Sequence, residues 1–253
     1  MPERIGAPLF LLARFAEFFE EVEGIKLAIA EGRLGALLTV GDEAPPTRSQ
    51  DLATRVSSRL AAVLLAQRKS LERVGTPSEI DAHEQALYAM ASLADELFIL
   101  EIDWPGRDAW MDVLLEAKLF HTRNAGVRFF DMAETLLASR SIDALQADVA
   151  AVMVLALRLG FKGKYRGEKS HAELRELRAR LFRLVERLHG KHEHGVAFPQ
   201  ALTQLQAGGK PRRLAPLTPW FIGAAIVLVI YLIVSSAVWL AAIEPFRQAV
   251  ERA

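Results

Sequence analysis

Hydrophobic side chains recur every three or four positions through residues 1–213, and the alternating β-branched runs typical of strands are missing. Because this spacing places apolar side chains on one face of a helix, the pattern predicts an all-α fold. The predicted helices span residues 8–32, 48–73, 77–101, 106–121, 126–139, 142–160 and 171–190. Short connections between these helices predict that neighbours pack antiparallel.

Capping-box sequences mark several of the predicted helix starts. A capping box pairs Ser or Thr at the start of a helix with Glu or Gln three residues later. Such boxes begin at Thr47, Thr76 and Ser170, and a weaker start lies in the stretch from Ser139 to Ser141, ahead of Asp143. These sequences set the predicted boundaries.

The C-terminal part of the chain follows a different pattern. Residues 214–243 contain no charged side chain, and a bilayer-spanning helix needs only about 20 apolar residues. A buried core helix of this length would show a polar stripe, which this segment lacks. The sequence therefore predicts one transmembrane helix over residues 217–243 and a short periplasmic tail over 244–253. We assign Trp220, Tyr231 and Trp239 to the membrane anchor, with the tryptophans at its two interfaces.

Charge divides the chain in two. Residues 1–157 carry 15 Lys and Arg against 24 Asp and Glu, whereas residues 158–213 carry 14 against 5. Residues 191–216 are rich in Gly and Pro and predict a flexible basic linker between a domain of residues 1–190 and the membrane. The excess of basic residues before the span places the domain in the cytoplasm by the positive-inside rule.

The N-terminus needs a separate interpretation. The stretch after Arg4 has the apolar outline of a short signal peptide, but no small-residue cleavage site follows it. Acidic residues then interleave the apolar positions at helical spacing. We expect an amphipathic helix of the folded domain.

Several classes of chemistry are excluded by composition. With no cysteine, the chain cannot supply a disulfide, a thiolate nucleophile or a zinc–thiolate site. His83-Glu84 is followed by Leu87 where a zinc protease helix needs its second histidine, so we expect His83 to be an exposed helix residue. His189, His192 and His194 form a cluster that could bind a metal ion, but no carboxylate accompanies them at fixed helical spacing. We expect no metal and no cofactor.

Two basic segments also favour ordinary structure. The glycine-rich segment of residues 160–167 lacks the spacing of a phosphate-binding loop and follows a helix instead of a strand. The arginines of residues 175–187 are interleaved with glutamates, which favours a solvated, membrane-proximal face over a nucleic-acid site.

Asp95 and Glu96 stand out because they lie late in an otherwise apolar helix. Acids near a helix C-terminus oppose the helix dipole unless something compensates for them. Neighbouring residues point about 100° apart on a helix, so the pair cannot form the two facing carboxylates of a hydrolase. Two interpretations stay open, namely contact with a partner protein and an internal salt bridge.

The residues from Tyr88 to Arg166 resemble the DotU/TssL family of bacterial secretion systems. The similarity rests on Tyr88-Ala89 with Asp95-Glu96, then Trp104 and Trp110, then Phe120 and the turn from Ala125 to Phe130. The segment from Leu157 to Arg166, with Gly160-Phe161 and Gly163 at its centre, is the most specific part. Val127 and Ala151 depart from the family pattern, which usually has acids there, so this chain lacks two of the acids of an acidic docking groove.

The resemblance implies an assembly scaffold without catalytic activity. It implies a cytoplasmic domain of two packed helical bundles hung from one span in the bacterial inner membrane. Its expected partners are a large IcmF/TssM-like membrane subunit and baseplate components, with self-association through the span and no nucleic acid. The residues expected to bind partners are Asp95, Glu96, Trp104, Gly126, Phe129, Phe130, Gly160, Phe161, Gly163, Tyr165 and Arg166.

Three other functions stay open at this point. The first is the DotU subunit of a type IVB system, which stabilises an IcmF-like partner. The second is a tail-anchored enzyme, although no convergent set of titratable groups is visible in the sequence. The third is a lipid or metal sensor that uses the histidine cluster near the membrane.

Overall fold

The computed structural model describes residues 10–41, 43–139, 141–167 and 170–189. All of these residues belong to one compact unit. The predicted linker, transmembrane helix and tail lie outside the described residues, as do Trp220, Tyr231 and Trp239.

The described residues form helices and turns and contain no strand, which confirms the all-α prediction. The eight α-helices are α1 (Phe10–Ala30), α2 (Leu34–Leu37), α3 (Ser49–Glu72), α4 (Pro77–Glu96), α5 (Leu115–Phe120), α6 (Ala125–Ala138), α7 (Ala144–Arg158) and α8 (His171–His189). Helix α4 continues into a π-helical turn over Leu97–Glu101. Two 3-10 turns cover Trp110–Asp112 and Gly163–Tyr165.

Helices α4 and α7 form the centre of the domain. Helices α1 and α3 pack on one side of this pair, and α6 and α8 pack on the other. The two packed bundles therefore share α4 and α7. Close packing at the centre suits the small residues of α7, which are fully buried at Ala147, Ala150, Ala151 and Ala156.

Segment Ala144–Tyr165, which includes α7, is the one described segment long and apolar enough to cross a membrane. Most of its apolar window is buried inside the domain. Its apolar composition is explained by its position, because a helix covered on all sides needs no polar stripe.

The predicted helix over residues 106–121 is wrong. Trp104 and Trp110 instead pack against Phe98 at ring centroid distances of 5.4 and 4.6 Å, and only α5 is helical beyond them. The Trp104 indole N–H donates to the Phe98 carbonyl at 3.0 Å. A side chain at Gly106 would collide with that indole. Burial of the large rings therefore overrides the helical pattern of this segment.

The helix caps match the sequence in part. Thr76 and Glu79 form the predicted capping box at the start of α4. Asp143 and Gln146 form a second box at the start of α7. Helix α3 begins after Arg48 without any side-chain cap, so the predicted box at Thr47 is wrong.

His83 is buried, with 1% of its surface exposed, which contradicts the expectation of an exposed residue. Its ring faces α1, where the centroid of Phe10 lies 6.3 Å away. Among the described residues its Nε2 atom has no hydrogen-bond partner. Burial, together with the positive charges of Arg14 and Arg68, lowers the pKa of His83 to about 4.

Acid is expected to destabilise the domain through His83. The unfolded chain binds this proton below pH 6.5 and the folded chain only near pH 4, so stability falls as pH decreases between these values. At pH 5 the loss from this residue is about 2 kcal/mol. Urea unfolding at pH 7 and pH 5 should show a smaller loss in His83→Leu than in the wild type. The exposed His171→Leu variant is the control, and an equal loss in all three proteins would contradict the assignment.

Candidate functional site

Three buried carboxylates organise the end of α4 and the segments around it. We call Asp95, Glu96 and Glu116 the carboxylate cluster. Their exposed fractions are 5%, 8% and 3%. Each accepts hydrogen bonds from backbone N–H groups outside its own helix, from residues 20 positions away for Asp95, 66 for Glu96 and 8 for Glu116. The cluster therefore joins separate segments of the chain.

Asp95 fixes the segment that leads into α5. Its carboxylate accepts the Trp110 indole N–H at 3.0 Å and the backbone N–H groups of Leu115 and Glu116 at 2.8 Å each. These N–H groups belong to the first turn of α5, where a helix has no internal acceptors. Burial raises the pKa of Asp95 to about 7, against these hydrogen bonds, which favour the charged form.

Glu96 points in a different direction and fixes the turn after α7. Its two carboxylate oxygens accept the backbone N–H groups of Lys162 and Gly163 at 2.9 Å each. The Arg166 guanidinium also pairs with this carboxylate. Exposed Glu101 lies 3.4 Å from Arg166 and 3.5 Å from the Lys162 ammonium group. The internal salt bridge considered from the sequence is therefore present at Glu96.

Glu116 completes the cluster and was missed by the sequence analysis. It accepts the Tyr88 hydroxyl at 2.8 Å, the Thr122 hydroxyl at 2.7 Å, and the N–H groups of Asn124 and Ala125 at 2.9 and 3.0 Å. Burial raises the pKa of Glu116, but the hydrogen bonds outweigh it and the net shift is downward. An acid in the first turn of a helix is ordinary, so nothing in the sequence singles this residue out.

The turn held by Glu96 lies against the start of α6. The Phe161 ring packs on Phe129 and Phe130 at centroid distances of 4.5 and 5.7 Å, and the Tyr165 ring meets Phe130 edge-on at 4.7 Å. The three phenylalanines are fully buried. The turn therefore packs on the buried rings of Phe129, Phe130 and Phe161, while Tyr165 stays partly exposed.

Two glycines let the backbones of the turn and α6 approach closely. Gly163 has a φ of 46°, and an added Cβ would lie 2.8 Å from both the Gly126 carbonyl oxygen and the Phe130 ring. An added Cβ at Gly126 would find nothing nearer than 3.6 Å. Gly160, with a φ of 119°, ends α7 in a conformation that favours glycine. The requirement for glycine is therefore strict at Gly163 and weak at Gly126.

The expected partner-binding residues divide into two groups. Asp95, Glu96, Trp104, Phe129, Phe130 and Phe161 are buried. Gly126, Gly160, Gly163 and Tyr165 are partly exposed and Arg166 is exposed. Val127, beside Gly126, exposes 48% of its surface, whereas Ala151 is fully buried in α7.

The described residues contain no group of three His, Asp or Glu side chains placed to hold a metal ion. The side chains of the predicted histidine cluster lie outside the part of the chain that the structure describes.

The chain is an all-helical domain in which buried acids fix two surface segments, the turn after α7 and the start of α6, through hydrogen bonds. The family model described as type VI secretion system protein DotU matches residues 33–239, and the chain belongs to this family. Family membership makes it a subunit of a secretion-system membrane complex.

The solved cytoplasmic domain of TssL from Acinetobacter baumannii has a similar fold. The TM-score is 0.50 at 21% sequence identity, and the match covers 68% of this chain and 97% of that one. No curated protein sequence matches the chain.

Replacing Glu96 by Gln should destabilise the domain by about 1–3 kcal/mol. The amide can accept only at its oxygen, so one of the Lys162 and Gly163 N–H groups would face another donor. Glu101→Gln is the matched control, because it removes a contact to the same Arg166 at the surface and should cost less than about 1 kcal/mol. Urea unfolding measures both effects. Equal losses of unfolding free energy in the two variants would mean that the buried hydrogen bonds of Glu96 stabilise the domain no more than the surface contact of Glu101.

Replacing glycine by alanine should change the stability of the domain in different ways at Gly163 and at Gly126, the two residues at which the turn and α6 approach each other. Gly163→Ala places a Cβ in collision and strains a positive φ, so we expect a loss of at least about 2 kcal/mol. Gly126→Ala has room and improves helix propensity, so the free energy of unfolding should stay the same or rise by up to about 1 kcal/mol. Thermal unfolding of both variants tests the contact, and comparable destabilisation would contradict the close approach.

Proposed function

We propose that the chain is a structural assembly subunit of a type VI secretion membrane complex. Residues 217–243 anchor it in the bacterial inner membrane, residues 1–190 form the cytoplasmic domain, and residues 244–253 lie in the periplasm. Membership of the DotU family supports this assignment, as does the uncharged segment of residues 214–243. The family description names the type VI system, which favours it over the type IVB alternative.

The cytoplasmic domain docks its partners through one preformed surface. We define the docking surface as Gly126, Val127, Gly163, Tyr165 and Arg166. The observation that carries this proposal is that Glu96 and Glu116 hold its two segments from inside, at the turn after α7 and the start of α6. A surface that is rigid before binding loses little conformational entropy when a partner arrives.

The buried members of the expected site act by positioning. Asp95, Glu96 and the phenylalanines beneath the turn have their polar groups and surfaces occupied within the domain. They set the shape of the docking surface without touching the partner. The sequence left two interpretations of Asp95 and Glu96 open, namely an internal salt bridge and contact with a partner. In this proposal the internal salt bridge of Glu96 shapes the surface that the partner contacts.

The docking surface binds the large IcmF/TssM-like subunit or baseplate components, and the span mediates self-association. A non-enzymatic role agrees with the bonding of the carboxylate cluster. Its oxygens accept N–H, O–H and guanidinium donors of the domain itself, which supports a positioning role for these acids.

Val127→Arg should weaken partner recovery without unfolding the domain. Val127 is 48% exposed beside Gly126, and a long charged side chain there would obstruct an apolar contact at the docking surface. The measurement is affinity recovery of the full chain from detergent-solubilised native membranes, with partners quantified by mass spectrometry. Loss of one well-packed interface contact corresponds to about a tenfold or greater drop in affinity.

Val74→Arg is the matched control, because Val74 is 67% exposed just beyond α3 and receives the same substitution. It should leave partner recovery unchanged. Equal recovery with Val127→Arg and the wild type would reject the docking surface. Recovery of the wild-type chain alone, well folded and in good yield, would reject the assembly role itself.

A further inference from the structure

A positively charged groove lies between α6 and α8, and none of its lining residues belongs to the docking surface. Its volume is about 550 Å³, and we call it the basic groove, lined by Leu137, Arg180, Arg183, Glu186 and Arg187. One side is fixed, because the Arg180 guanidinium contacts both carboxylate oxygens of Glu134 on α6 at 3.1 Å. Leu137 adds an apolar surface beside the arginines.

Arg183 and Arg187 supply the charge that is available for a ligand. Each side chain is exposed, and its Nε–H donates to a carbonyl of its own helix, at Ala179 and Arg183, over 3.3 and 3.4 Å. Within the described ranges no carboxylate pairs with either guanidinium. Two arginines one helical turn apart, with free terminal N–H groups, match the geometry that binds phosphate oxygens.

The groove also lies close in sequence to the predicted membrane anchor. Helix α8 ends at His189, and only residues 190–216 separate it from the predicted span. These residues contain four Lys and Arg and one Glu, so the excess positive charge continues toward the span. Basic residues on the cytoplasmic side of a span are attracted to the anionic lipids of that leaflet. The covalent tether also raises the effective concentration of the membrane at the groove.

We propose that the basic groove binds the anionic headgroups of phospholipids in the membrane that anchors the chain. Arg183 and Arg187 hold the lipid phosphate, and Leu137 contacts the adjoining apolar part of the lipid. The groove thereby sets the orientation of the cytoplasmic domain on the membrane. This inference rests on the proposed anchoring of residues 217–243.

The absence of cysteine allows a specific test with the full chain. Ala179→Cys places a single fluorophore on the exposed face of α8, and Ala62→Cys places one on the exposed face of α3. Each labelled chain is reconstituted in nanodiscs of phosphatidylcholine, with or without phosphatidylglycerol, that contain a headgroup-quencher lipid. We expect phosphatidylglycerol to increase quenching at position 179 and not at position 62, because each engaged arginine raises the equilibrium constant for the membrane-bound orientation on the order of fivefold. High salt should reverse the increase.

Two double variants with the same charge change test the groove itself. Arg183→Gln with Arg187→Gln should abolish the phosphatidylglycerol-dependent quenching at position 179. Lys69→Gln with Arg73→Gln is the matched control, because these residues have the same spacing, are exposed and lie at the C-terminal end of α3. This control should leave the quenching unchanged, and circular dichroism should show equal helix content in both.

The contrary results are distinct. Equal quenching with and without phosphatidylglycerol, or equal quenching at positions 179 and 62, would overturn the inference. If the arginine variant keeps its quenching but loses protein partners, the groove binds protein and the lipid inference is wrong. If the wild-type chain fails to stay in the nanodisc, the proposed anchoring is wrong and this inference is overturned with it.

Discussion

The organisation of this domain depends on carboxylates that are buried and yet fully hydrogen-bonded. A buried acid is costly unless donors surround it, and here the donors are backbone N–H groups of loops and helix starts. Asp95 takes those of Leu115 and Glu116, while Glu96 takes those of Lys162 and Gly163. The cost of burying each acid and the cost of leaving those N–H groups unpaired are therefore removed together. Replacing one of these acids leaves the backbone N–H groups unpaired, and losing the N–H groups leaves the buried acid without donors.

This arrangement explains why the end of α4 is the centre of the structure. The chain leaves α4 through a π-helical turn over Leu97–Glu101, and Asp95 and Glu96, which lie just before that turn, bond two different segments of the chain. Irregular turns of this kind are often found at functional sites, where they re-aim side chains. Glu96 and Glu116 hold two surface segments from inside, at the turn after α7 and at the start of α6. The proposed docking surface thus takes its shape from residues that do not reach solvent.

The resulting picture separates three roles along the chain. The acids and aromatic rings at the end of α4 and beneath the turn fix the local geometry, the turn and the start of α6 form the proposed docking surface, and α8 carries the arginines of the proposed lipid site. Buried charge acts through hydrogen bonds and geometry, whereas exposed charge acts over a longer range and is weakened by salt. The proposed binding of proteins and of lipid therefore uses different physical interactions on different helices.

The sequence by itself determined the helical class, most helix bounds and the positions of special residues. Periodic burial and the Thr76 capping box are local properties, so α1, α3, α4, α6, α7 and α8 could be predicted from spacing. Only the tertiary structure decided which of these residues are buried and which residues they contact. His83 is buried on the side of α4 that faces Phe10 of α1, and the helix predicted over residues 106–121 does not form at Trp110 because the Trp110 and Trp104 rings pack against Phe98. Glu116 meets Asp95 only through a contact between α5 and the end of α4, 21 residues apart in the chain, which no local pattern encodes.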